Sequence, residues 1–211
     1  MDRWCEQQLW REWGVNTGGA ELFGSATGLL FCFAPGIWGA RKWTVLLLLL
    51  WACFGVLGVG TFIFHWVPHD DSDHHLNAFD WYPMVFTCGL LIVIYLVPNI
   101  RFLAPTYVAG AFVLLLCWML FLLIEMNHMN PVILNAVLVA PPVLIFAFYT
   151  YATWDSRINR VWFLLVLSLT LWLINSYFCE RWAPLALFHS AYHVTIAIAL
   201  WEAACIGVDP E

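Results

Sequence analysis

Charge is what this sequence has least of. Asp, Glu, Lys and Arg together make up 10% of its 211 residues, against about 25% in a soluble domain. That scarcity excludes an ordinary soluble globule, because a single core of this size cannot hide a chain that is 63% apolar. Lys and Arg number only 8, and the net charge is −6, so no basic surface for nucleic acid is expected. The seven cysteines contain no C-x-x-C pair, which removes a paired-thiol redox or metal motif. There is no internal repeat and no low-complexity run. No cleavable signal peptide is expected, since the first 19 residues are polar and mixed in charge.

What the chain does have is long apolar runs. A bilayer-spanning helix needs about 20 such residues, and seven stretches qualify: 20–40, 43–67, 78–97, 102–124, 131–153, 161–178 and 184–207. The expected fold is therefore an all-α membrane protein, a single domain over 1–211 with a polar segment at 1–19 and a seven-transmembrane helix bundle over 20–207. Arg41, Lys42, Arg101, Arg157 and Arg160 fall on one side of such a bundle, Arg3, Arg11 and Arg181 on the other. Positive charge collects in the cytoplasm. The N-terminus is then outside and the C-terminus cytoplasmic.

Span parity gives a sharper expectation. The second span runs outward to His65, the third runs inward from Asp80, and the seventh carries His189 and His193 in its first half. All four polar groups share the outer half. His69, His74, His75 and His128 are expected on outer loops, and no histidine on the inner side. Ionisable groups inside apolar spans are costly, by at least roughly 2.5–3.5 kcal/mol for a charge at a helix centre, so they pair, bind an ion or do chemistry.

His189 and His193 stand at i, i+4, which puts both rings on one helical face. One helix offers two imidazoles to zinc in this way in H-E-x-x-H. Here Ser190, Ala191 and Tyr192 intervene without a glutamate, so a general base must come from elsewhere, and Asp80 is the leading candidate. With His65 the set is three imidazoles and an open position for water, whose pKa on zinc falls to about 7. Thr61, one turn before His65, is placed either to donate to a developing oxyanion or to bond back to its own helix. Gly58 and Gly60 permit close helix approach. Pro35, Pro141 and Pro142 interrupt spans and can kink them. Two other uses of these residues stay open: a seven-span receptor or scaffold whose zinc is structural and closed by a fourth ligand such as Asp80, and an electron carrier holding haem between His65 and His193.

Three motifs resemble the alkaline ceramidase family of seven-span membrane amidases and, more distantly, the superfamily that includes the adiponectin receptors. Gly60-Thr61-Phe62-Ile63-Phe64-His65 is similar to G-S-x-x-F-H, Asp80-Trp81-Tyr82-Pro83-Met84 to D-E-L-P-M, and His189-Ser190-Ala191-Tyr192-His193 to H-x-x-W-H. Their order and span positions agree with the family over nearly the whole chain. The resemblance implies that His65, His189 and His193 hold zinc, that Asp80 works on the water, and that Thr61 stands in for the family's serine near the oxyanion. It implies a lipid partner, ceramide or another N-acyl lipid, cleaved to a fatty acid and a sphingoid base. Thr61 adds a methyl to that serine, Trp81 replaces a glutamate, and the His65–Asp80 interval carries a His/Asp-rich insertion.

Trp4-Cys5-Glu6 is similar to the family's D-W-C-E, which opens a calcium site. The matching positions are Trp4, Glu6, Gln8 and Glu21, with Arg3 where the leading Asp belongs and Gln8 where Asn is usual. The alternative for this segment is a solvated acidic N-terminus. Phe178-Cys179-Glu180 matches the segment that the family bridges to its W-C-E cysteine, so the resemblance also implies a disulfide between Cys5 and Cys179. The remaining cysteines read as small buried hydrophobes. Short loops and the lack of appended domains point to a bacterial plasma membrane, with the site toward its outer side.

Overall fold

A computed structural model of the chain describes residues 9, 22–33, 43–67, 74–96, 105–125, 131–152, 156–179 and 181–208. Among them there is no strand. Seven α-helices follow in order: α1 Leu22–Gly28, α2 Val45–Trp66, α3 His74–Leu96, α4 Pro105–Glu125, α5 Pro131–Ala152, α6 Ile158–Phe178 and α7 Leu187–Val208. A 3-10 turn at Ala183–Ala186, with Pro184 in its first turn, leads into α7. Among the described residues, four helical stretches are long and apolar enough to cross a membrane: Val45–Trp66, Ala78–Leu96, Ile158–Phe178 and Pro184–Val208. Leu22–Phe33, Ala109–Glu125 and Ala136–Tyr151 are shorter apolar helices.

α2 shows why the sequence builds this architecture. Thr44 caps it, its hydroxyl accepting the Leu47 N–H at 3.3 Å, which satisfies one donor that a helix start leaves orphaned. Its buried residues Leu47, Leu50, Phe54, Leu57, Thr61 and His65 recur every three or four positions and so form one stripe. The opposite face is no more polar. Val45, Leu48, Leu49, Trp51, Val56 and Val59 are all exposed. A helix apolar all round belongs in a core or in lipid, and these residues have no core against them.

α7 is the hub. It packs against α1, α3 and α6, and more lightly against α2. Its buried face runs from His193 through Ile196, Ala197 and Trp201 to Ala204, and these join Phe31, Phe54, Leu57 and Leu91 in the central cluster. At the end away from the histidines, the Tyr95 hydroxyl of α3 donates to the Ala203 carbonyl and the Tyr149 hydroxyl of α5 donates to that of Ile206 at 3.3 Å. Arg160 of α6 grips the buried Glu202 of α7 through Nε and Nη2, both at 2.7 Å. Ser168 of α6 donates to Thr195 of α7 at 2.9 Å.

Close approach of α2 and α3 depends on Gly60. A Cβ there would stand 1.9 Å from the Phe79 carbonyl oxygen, so only glycine allows this crossing. Gly58 does the same against α1, where a Cβ would meet the Cys32 sulfur at 2.5 Å. Both contacts match the expected use of these glycines. The helix runs through Pro141 and Pro142 in α5, and also through Pro83 in α3. One expectation needs correction. His74 and His75 do not belong to a loop; α3 begins at His74, one turn and more before the apolar run. Helical backbone does not require apolar side chains, so a helix extends past the hydrocarbon where its hydropathy has already ended. His69, His128 and Pro35 lie outside the described residues.

Candidate metal centre

The α2 stripe ends on His65, which is 4% exposed, and the α7 face begins with His189 and His193, the latter 5% exposed. The helices bring the three rings into mutual contact. Centroids lie 4.9 Å apart for His65 and His189, 5.1 Å for His65 and His193, and 4.6 Å for His189 and His193. One ring nitrogen from each falls within 4.8 Å of the others. Among the described residues no fourth His, Cys, Asp or Glu joins this group. Nor does a planar macrocycle fit between His65 and His193, because the His189 ring packs against both.

The spacing of His65 and His189 bears on whether this set suits zinc. His65 Nε2 and His189 Nε2 are 3.3 Å apart. Two nitrogens each about 2.0–2.1 Å from a tetrahedral ion stand about 3.3–3.4 Å apart. The same separation also suits one N–H···N hydrogen bond, so the partners of the other ring nitrogens matter. His193 Nδ1 faces the Gly24 carbonyl at 3.2 Å and the Thr27 hydroxyl at 3.3 Å. A carbonyl only accepts, so Nδ1 carries the proton and Nε2 keeps its lone pair for an ion. Thr27 in turn donates to the Phe23 carbonyl at 2.6 Å, which leaves its oxygen to accept from His193. His189 Nδ1 lies 3.4 Å from the Asn175 amide of α6. Partners that hold the ring nitrogen facing away from the ion fix ring orientation in metal sites.

Asp80 sits near His65 in the second turn of α3. Its carboxylate accepts the Thr61 hydroxyl at 2.5 Å and lies within electrostatic reach of His65 and Tyr192. Thr61 is 2% exposed. Its hydroxyl bonds across to α3 and not back to its own helix. Its methyl is seated by Gly28 of α1, where a Cβ would come within 2.7 Å of Thr61 Cγ2. The structure therefore gathers Thr61, His65, Asp80, His189 and His193 at one end of the bundle. Gly24, Thr27 and Asn175 escaped the sequence reading. Thr27 and Asn175 are polar residues in apolar stretches, and that alone could have marked them.

Trp4, Glu6, Gln8 and Glu21, the positions considered for calcium, lie outside the described residues. Cys179 is buried and disulfide-bonded, while Cys5 lies outside the described residues. Cys32, Cys53, Cys88, Cys117 and Cys205 are not disulfide-bonded. Compared with known proteins, the chain matches no family model and no curated protein.

Proposed function

We propose that this protein is a zinc-dependent membrane amidase that hydrolyses the N-acyl amide bond of ceramide or a related lipid. The observation that carries the reading is a set of three imidazoles, two buried and His189 half-buried, with no fourth protein ligand among the described residues, beside a carboxylate held by a buried hydroxyl. A receptor or scaffold with structural zinc needs a closed site, and Asp80, the residue that would close it, is not grouped with the three rings.

His65, His189 and His193 would hold the ion through ring nitrogens, with Gly24 and Thr27 orienting His193 and Asn175 orienting His189. Zinc supplies Lewis acidity and makes water a better nucleophile at neutral pH. The chain's own groups move the proton. Asp80 accepts it from the attacking water and delivers it to the leaving amine nitrogen, releasing a fatty acid and a sphingoid base. Thr61 has a single hydroxyl hydrogen, and in the resting site Asp80 takes it. Once Asp80 is protonated it donates in its turn, which frees the Thr61 hydrogen for the oxyanion forming at that moment. Thr61 thus first positions the base and then stabilises charge.

In this reading the chain spans the bilayer seven times, N-terminus outside and C-terminus cytoplasmic, in a bacterial plasma membrane with the site toward the outer side. A Cys5–Cys179 bridge and a calcium ion on Trp4, Glu6, Gln8 and Glu21 belong to the same reading. The test is to measure metal in the purified protein and fatty acid released from a panel of ceramides and other N-acyl lipids, with and without chelator. Stoichiometric zinc and chelator-sensitive release are expected, as is an Asp80→Asn variant that keeps its zinc and loses turnover. Undiminished release from zinc-stripped protein, or full turnover by Asp80→Asn, would overturn the assignment.

A further inference from the structure

An apolar groove of about 620 Å³ lies between α2 and α3, within the size range of ligand sites, roughly 300–1,000 Å³. Ala52, Gly55, Val56 and Val59 line one side, Phe79 and Tyr82 the other. No lining residue is charged. Val56, Val59, Phe79 and Tyr82 are 38–62% exposed, so the groove opens outward, on a face whose surroundings are apolar. Along α2 it extends from Ala52 to Ile63, roughly 16 Å at a rise of about 1.5 Å per residue. One leaflet of a bilayer is about 15 Å of hydrocarbon, half of a core of about 30 Å. The groove has the length of one leaflet's acyl chain and lies toward the three-histidine end of α2.

Its position links it to the site. Gly60 and Phe79 both line it, and the next residue on each helix, Thr61 and Asp80, is the hydrogen-bonded pair. We infer that the groove seats the acyl chain of the amide-lipid substrate, with the amide end directed to Thr61 and Asp80; the identity of the lipid rests on the amidase reading. The floor of the groove is Gly55, where an added Cβ meets nothing within 4 Å. A larger side chain there fills the groove without disturbing the helix contact.

The experiment uses full-length protein in phosphatidylcholine nanodiscs with a ceramide that carries a photoactivatable diazirine midway along its acyl chain. Mass spectrometry then maps the adducts. Labelling is expected to concentrate on 52–63 and 78–83 and to fall at least fivefold in Gly55→Leu, while the exposed α6 residues Phe163, Val166 and Leu169 label as before. A phosphatidylcholine bearing the same diazirine should label the groove less than the ceramide. Labelling spread evenly over exposed faces, unchanged labelling in Gly55→Leu, or equal labelling by both lipids would overturn the inference. So would a protein dimer that Gly55→Leu converts to monomer, because the groove would then hold a second copy. Turnover read on the same samples separates the two claims: selective labelling without amide hydrolysis sinks the amidase reading alone, and hydrolysis without selective labelling sinks the groove alone.

Discussion

Asn175 offers a test that separates a metal ligand set from a hydrogen-bonded cluster of histidines. Its amide lies 3.4 Å from His189 Nδ1, and His189 Nε2 lies 3.3 Å from His65 Nε2. If the three rings hold zinc, His189 Nε2 must offer a lone pair, so Nδ1 carries the proton and needs an acceptor. Asn175 supplies one by turning its carbonyl oxygen inward, an exchange of amide ends that heavy-atom positions alone do not decide. If instead the rings only bond to one another, a proton on His189 Nε2 can bridge to His65. Nδ1 is then the acceptor, and Asn175 donates its N–H.

The two arrangements give opposite signs for one substitution. Asn175→Asp presents only acceptors at neutral pH. In a zinc site it keeps the bond from His189 Nδ1–H and raises the basicity of the ligand, so affinity holds or rises. In a hydrogen-bonded cluster it sets a carboxylate against a lone pair and destabilises the bundle. Asn175→Leu removes the partner in both cases. For a metal site, loss of the group that holds a ligand's other ring nitrogen costs about 10–100-fold in affinity, or about 1.4–2.8 kcal/mol. The assay is a competition titration of detergent-purified protein with a chromophoric zinc chelator, with thermal unfolding recorded with and without zinc. The expected order of affinity is Asn175→Asp equal to or above wild type, and Asn175→Leu 10–100-fold below. Unaltered affinity in Asn175→Leu, or an Asp variant that unfolds earlier and gains nothing from zinc, would refute the ligand assignment.

Gly28→Ala should push against the Thr61 methyl, 2.7 Å from the new Cβ. We expect about 1–3 kcal/mol of destabilisation, the usual cost of overpacking, of which Thr61→Ser in the same chain recovers more than half; denaturant titration of the double-mutant cycle measures it, and no recovery would contradict the packing described. Arg160→Ala should lower the unfolding temperature more than Glu202→Gln, because the first leaves a buried carboxylate without its partner. The loss should stay below the roughly 3–5 kcal/mol of a fully buried pair, since Arg160 is 61% exposed; the reverse order would show that the pair does not hold α6 to α7. Mass mapping of air-handled protein should recover Cys5 and Cys179 in one cross-linked peptide pair, and free thiols at both positions would remove that bridge.

The helices were legible because apolar runs set their extent. The stretch expected at 43–67 is Val45–Trp66, and that at 131–153 is Pro131–Ala152. The start of α3 was not legible, because hydropathy marks where hydrocarbon surrounds a helix and says nothing of the polar turns before it. Within the site, the i, i+4 histidine pair could be read from one helix alone. His65 required the fold, since its ring meets the others only because α2 and α7 converge at that end. Charge placement on loops indicated a topology, and four stretches among the described residues have the length and composition to cross a membrane.

Polar residues in apolar spans were legible as costs, and the structure shows which neighbours offset them. A buried hydroxyl or imidazole without a partner costs about 1–3 kcal/mol. Thr61 has found Asp80, His193 Gly24 and Thr27 Phe23, whereas the buried Ser190 hydroxyl beside His189 has no hydrogen-bond partner among the described residues. None of these partners shares a motif with the group it serves. His193 is served by a backbone carbonyl on α1, which any residue in place of Gly24 would also provide, so no sequence pattern can reveal it. Thr27 is different, because its side chain must be both acceptor and donor in a small space. Serine there keeps that chemistry and valine keeps only the shape. Thr27→Ser should therefore leave zinc affinity near wild type while Thr27→Val weakens it, within the same 10–100-fold range. Equal affinities in the two variants would mean that Gly24 alone orients His193, and that the second contact, at 3.3 Å, is proximity without consequence.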